Sequence, residues 1–185
     1  MSVQTRSAIF ACATIIVTSG LISGGCSRPN TNYQQHGSAA ERLTPVTAPL
    51  AEGLTRRTVY APIYSSIYWG LNQSDKPMDL AATVSIRNVS SKYPLILESV
   101  RYYDSAGRLV RDYVTQPSEL GALATVEFVI QQLDRAGGPG ASFLIRWAGA
   151  PEMNEPLVES VMVGQSGTAG ISFTSPGRVV KDEGK

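Results

Sequence analysis

A chain of 185 residues with one histidine, two cysteines and a formal net charge of +1 has few routes to chemistry. Near-neutrality and the lack of any dense Lys/Arg block leave it without the basic footprint that displacing counterions from phosphates requires, which excludes nucleic acid as a partner. Two cysteines cannot build a disulfide framework, and one histidine leaves little for base or metal chemistry.

Residues 1–25 read as an export signal of the lipoprotein type. Arg6 supplies a short basic segment, "SAIFACATIIVTSGLI" is mostly apolar, and small residues follow. A transmembrane helix is the alternative, but the run is shorter than the roughly 20 residues a span needs, and Thr14, Thr18, Ser19 and Gly20 dilute it. The ending "SGGC" resembles the lipobox of bacterial lipoproteins, in which the cysteine thiol is lipidated, here Cys26. Gly24 and Gly25 fit that pattern; Ser23 departs from it, since the position is usually aliphatic, and simple secretion is the alternative. Cys12 is lost with the signal and Cys26 carries the lipid, so the mature body holds no thiol. Removing Arg6 also leaves 15 basic residues against 15 acidic ones.

Residues 26–56 comprise the lipidated cysteine and a flexible linker. Pro29, Pro45 and Pro49 punctuate the segment, no periodicity persists, and only "AAERL" looks helical. A coil of about 30 residues has an end-to-end distance on the order of 30 Å, enough to hold a small domain just off a bilayer.

Residues 57–180 read as strands, with 181–185 a frayed, charged tail. In "LAATVSIRN", Leu80, Ala82, Val84 and Ile86 fall on one side of a period of two. "LILESVRYY", "DSAG" and "RLVRDYV" form a hairpin, with Asp104 accepting local backbone bonds and Gly107 free to take positive φ. "ATVEFVI" aligns Ala124, Val126, Phe128 and Ile130; "SFLIRW" aligns Phe143, Ile145 and Trp147. "LVESVMV" and "ISFT" complete the series, and "AGGPGA" links two strands rather than cradling a phosphate. The expected fold is mainly β: a single antiparallel β-sandwich of about seven to nine short strands, immunoglobulin-like but without the Cys-Trp-Cys signature. A small barrel is the alternative.

"VYAPIYSSIYWG", "LAATVSIRN", "VRYYDSAGRLVRDY", "LGALATVEFVI", "GGPGASFLIRW" and "GISFTSPGRVV" resemble, in that order, the segments of a bacterial family, the domain of unknown function 3124. The resemblance covers essentially the whole body. It implies a bacterial, exported and often lipidated protein, and it brings no catalytic residues with it.

The only histidine, His36, falls in the linker, so neither a Ser-His-Asp arrangement nor a histidine-based metal site is expected within the domain. No metal and no cofactor are expected. Glu98, Asp104, Asp112, Glu119, Glu127, Asp134, Glu152, Glu155 and Glu159 are scattered, and no spacing selects a pair for glycoside hydrolysis. The triplet Asn88-Val89-Ser90 matches a glycosylation acceptor pattern by chance.

The candidate surface is the aromatic stretch. On an extended strand Tyr60, Pro62, Tyr64, Ser66 and Tyr68 share a face, with Trp69 next to them, while Val59, Ile63 and Ile67 face the core. Tyrosines offer apolar area and a hydroxyl at small entropic cost, so Tyr60, Tyr64, Tyr68 and Trp69 form the candidate interaction surface. The alternative is that loops or a sheet edge cover them. The expectation is therefore a non-enzymatic interaction or structural module of the bacterial cell envelope. It faces the periplasm or cell exterior, is anchored to a membrane by its lipid, and meets an envelope protein partner. The other reading is a sugar ligand held on the aromatics, or carboxylate-based carbohydrate processing.

Overall fold

The computed structural model describes residues 39–68 and 77–181. The export signal, Cys26, His36 and Trp69 lie outside the described residues. In chain order come a helical turn α1 (Ala39–Arg42) and the strands β1 (Thr44–Pro45), β2 (Thr55–Pro62), β3 (Ser66–Ile67), β4 (Met78–Asp79), β5 (Ala81–Arg87) and β6 (Leu95–Tyr103). There follow β7 (Leu109–Val114), β8 (Ser118–Leu120), β9 (Thr125–Ile130), β10 (Ser142–Gly149), β11 (Leu157–Ser166), β12 (Ala169–Pro176) and β13 (Arg178–Val180). Only eight of these have six residues or more, which are the strands long enough to build the layers.

The strands pair antiparallel into two main sheets. One runs β1-β8-β6-β10-β2-β13, with β7 pairing β6 beside β8; the other runs β12-β11-β5-β9; β3 and β4 form a separate pair. The inner faces meet in one apolar core. Phe128 of β9 lies 6.4 Å from Phe143 of β10, and Tyr113 of β7 sits 5.1 and 5.6 Å from the same two rings. The period of two decides which residues enter it. Leu80, Ala82, Val84 and Ile86 are buried, as are Val126, Phe128 and Ile130, and Phe143, Ile145 and Trp147. On β11 the inward set is Val158, Ser160 and Met162.

The centre of this sandwich follows the immunoglobulin pattern. β5 and β9 are neighbours in one sheet while β6 and β10 are neighbours in the other, as strands B, E, C and F are. The flanks are exchanged. β2 lies beside β10, where the last immunoglobulin strand would be, and β11 lies beside β5, where the first would be.

The folded body starts earlier than composition suggests. Within the stretch read as linker, Leu43 packs against the core, Arg42 pairs with Glu127 of β9, and Val46 N–H donates to Pro117 O at 2.9 Å. β1 adds to β8 through Thr44↔Glu119. A few long-range contacts fix this segment, and none of them leaves a periodic trace.

Candidate functional site

β2 carries the first half of the aromatic stretch and stops at Pro62. Beyond it the chain leaves the ladder and bonds to the glycine loop instead: Ile63 N–H donates to Ala141 O at 3.0 Å and Ser65 N–H to Gly138 O at 3.2 Å. The tyrosines are therefore not one row. Ser66 is buried, which breaks the face on which Tyr60, Tyr64 and Tyr68 were expected to align. Tyr64 packs on the core edge, edge-to-face with Phe173 at 5.7 Å. Tyr68 is 74% exposed just past β3, and Tyr60 is 39% exposed on the outer face of β2. The aliphatic side behaves as the pattern requires, with Val59 and Ile63 buried and Ile67 packed against the core.

Tyr60 borders a cleft of about 350 Å³. Leu144 and Ser142 of β10 form its floor, and Tyr103 of β6 forms the facing wall. The register explains the grouping, because residues directly opposite in adjacent strands project to the same face. Tyr60 opposes Leu144, which opposes Arg101; one step along, Pro62 opposes Ser142, which opposes Tyr103. Two turns close the end of the cleft. Ser105 Oγ donates to Gly137 O at 2.9 Å and accepts from Gly140 N–H at 2.8 Å, tying the β6–β7 turn to the glycine loop.

Asp104 also lines the cleft, but its oxygens are committed. Oδ1 accepts from the N–H groups of Ala106 and Arg108, each at 2.9 Å, and Oδ2 accepts from Arg108 Nε at 2.7 Å. The Arg108 backbone N–H, ahead of the other donors, holds its carboxyl below the usual carboxylate range. It is an ionised turn former and no proton donor. Most other carboxylates are engaged too: Glu98 with Arg56, Asp112 with Arg101, Glu127 with Arg42, Asp134 with Arg111, Glu155 with Arg57 and Glu159 with Arg87. Among the described residues no three metal-ligating side chains converge.

The same sheet face carries two cations of a different standing. Arg178 of β13 lies directly across from Tyr60, and Arg146 of β10 lies between Thr58 and Ser99, one row from Leu144. Both are exposed, and neither has a carboxylate within ion-pair distance among the described residues. Sequence reasoning missed Tyr103, Ser142, Leu144, Arg146 and Arg178. Alternation in "VRYYD" could have placed Tyr103 opposite the buried Tyr102, but the pairing of β10 with β2 and of β2 with β13 is not local.

A family model described as "Protein of unknown function (DUF3124)" matches residues 56–180. The chain belongs to the DUF3124 family. No curated protein matches it. Among solved structures, the crystal structure of Thermotoga maritima 1070 is similar at 8% identity, with a TM-score of 0.38, over 66% of this chain and 92% of that one. The DUF3124 match begins at Arg56 and ends at Val180, so it spans β2 to β13 and contains the whole cleft, while α1 and β1 precede it.

Proposed function

We propose that this DUF3124 protein is a non-catalytic binding module of the bacterial cell envelope. A lipid on Cys26 holds it at a membrane, and it takes an acidic segment of an envelope protein on the Tyr60 face. The observation that carries the reading is one juxtaposition. An apolar cleft bordered by Tyr60, Tyr103 and Leu144 sits on the face that also bears Arg146 and Arg178, two cations without a carboxylate partner among the described residues. Aromatic area supplies contact at low entropic cost, and exposed arginines select an acidic partner by charge. A photoreactive residue replacing Tyr60 in the full-length chain in cells tests it, with Val129 on the opposite sheet as control. The expected result is one dominant adduct from position 60, absent from 129 and lost in Arg146→Glu combined with Arg178→Glu. Equal adducts from both positions, or adducts indifferent to the charge reversal, would overturn it. The anchor is separable from the surface: Cys26→Ser should release the protein from membranes without changing the adduct on a purified partner.

A second reading rests on the cleft itself. Tyr60 is an exposed aromatic beside a groove that also offers the Ser142 hydroxyl, which is the geometry that stacking a sugar ring requires. Glycan binding would shift NMR resonances of Tyr60, Tyr103 and Leu144 selectively in the purified protein. Hydrolysis has less support, since the cleft's one carboxylate, Asp104, is committed to its own turn.

A further inference from the structure

β12 is the outer strand of the four-stranded sheet, eight residues long, and no charged residue occurs anywhere from Ser160 to Gly177. Edge strands present unpaired backbone groups, and proteins usually guard them with charge, brevity, a bulge or a cover. The other edges here are guarded. At the far side of the same sheet α1 packs on β9 through Arg42 and Glu127. In the larger sheet β7 carries Arg111 and Asp112, and β1 and β13 have only two and three residues. Among the described residues β12 has none of these devices within its length; its register with β11 is continuous and Pro176 stands only at its end.

The register also says which backbone groups are open. Gly177 N–H donates to Val158 O at 2.9 Å, in line with Glu159↔Pro176 and the pairs that follow. Bonded pairs alternate along an antiparallel ladder, so Ser175, Phe173 and Ile171 turn their N–H and C=O groups toward β11. Gly170, Ser172 and Thr174 turn theirs outward, and all three are exposed.

We infer that β12 is a self-pairing edge, on which a second copy of this chain adds its own β12 antiparallel across a two-fold axis at Ser172. The strand is self-complementary in that register. Ser172 opposes its own copy, Gly170 opposes Thr174 and Thr174 opposes Gly170, so every outward group meets one. With two bonds per bonded pair, the junction holds roughly six backbone hydrogen bonds. On the inner side Ile171 faces Phe173 of the second copy and the reverse, joining two half-buried apolar side chains at each crossing. Pro176, which cannot donate, falls outside the bonded set. No like charges meet, because the strand has none. The two four-stranded sheets become one continuous sheet of eight, and the Tyr60 face, on the other sheet, remains free in both copies.

Two measurements on the detergent-solubilised full-length chain test this. Ser172→Cys should give a disulfide-linked dimer under mild oxidation, mapped by mass spectrometry to position 172 in both chains, because opposed Cα atoms lie within disulfide reach. Val163→Cys, on the neighbouring strand, should not. In sedimentation the native chain should be dimeric, and Ser172→Pro should weaken the dimer at least about tenfold. Proline there removes an outward N–H and leaves the β11 ladder bonded. Thr174→Lys, which adds charge to the edge, should do the same without touching the backbone. A chain that is monomeric to its solubility limit with no linkage at 172 would overturn the inference. So would a dimer indifferent to both edge variants, which would mean another face is used.

Discussion

With Ser90, Asn88 organises a whole loop. It is 2% exposed; the two hydrogens of its Nδ2 are shared among the carbonyls of Tyr93, Leu120 and Gly121 at 2.9, 3.2 and 3.0 Å, and its Oδ1 accepts from Ser90 N–H at 3.0 Å. Asn88→Ala leaves the buried Leu120 carbonyl without this donor and should lower unfolding stability by about 1–3 kcal/mol, read from the urea midpoint. Asn88→Asp should cost more, because it aims a carboxylate at carbonyl oxygens. The triplet Asn88-Val89-Ser90 was visible in sequence only as a chance acceptor pattern; its partners at 120 and 121 are too distant in the chain to be inferred. Gly137 is a second residue whose identity is forced. A Cβ there would lie 1.9 Å from Tyr102 Oη and 2.7 Å from Ala141 Cβ. Gly137→Ala should destabilise by about 1–3 kcal/mol through overpacking. Adding Tyr102→Phe should restore only part of that loss, since the ring carbon and Ala141 remain in the way. A double variant no better than the single one would show that the hydroxyl is not the obstacle.

Among the elements, what was legible is what period-two alternation can carry. Leu80 to Ile86, Ala124 to Ile130 and Phe143 to Trp147 each declared their core face, because a strand buried on one side must alternate. The β6–β7 turn was legible for a chemical reason: Asp104 accepts from Ala106 and Arg108, and Gly107 has φ of 76°. Asp104→Ala should lower the urea midpoint and raise hydrogen exchange in the turn and at the cleft wall beside Tyr103, leaving β11 and β12 unchanged. The exchange of β2 and β11 between sheets was not legible, since it depends on which long-range pairing wins. The candidate site divides the same way. Tyr60 was found because it lies in a dense aromatic run. Its cleft partners on β6 and β10 were not, because strand order alone brings them to it. The expected tyrosine row failed at Pro62, where the chain abandons the ladder for the glycine loop's carbonyls.

At the scale of the whole molecule, stability should be bounded on both sides of neutrality by named groups. On the acid side, a bidentate contact with Arg135, at 2.8 and 2.6 Å, holds Asp79 below its ordinary value, and backbone N–H groups do the same for Asp104. Groups whose folded value is depressed stabilise the fold above their unfolded pKa of about 4 and lose that contribution as pH falls. On the alkaline side burial, reinforced by the charge of Asp134, pushes the Tyr102 phenol up to about 12. A raised value acts in the opposite sense: the contribution is complete below the unfolded tyrosine pKa of about 10 and disappears as pH climbs toward the folded value. Thermal melts across pH should therefore show a plateau between these limits and a fall beginning near pH 10. Tyr102 is fully buried beside Phe143, and its hydroxyl makes no hydrogen bond of ordinary geometry among the described residues, so Tyr102→Phe keeps the stacked ring at 5.2 Å and removes the titrating atom. The variant should match or exceed the native melting temperature at neutral pH and lose the early part of the alkaline decline. An alkaline limb unchanged in Tyr102→Phe would assign the decline to other groups, and the seven remaining tyrosines and the arginine ion pairs would be the next to test.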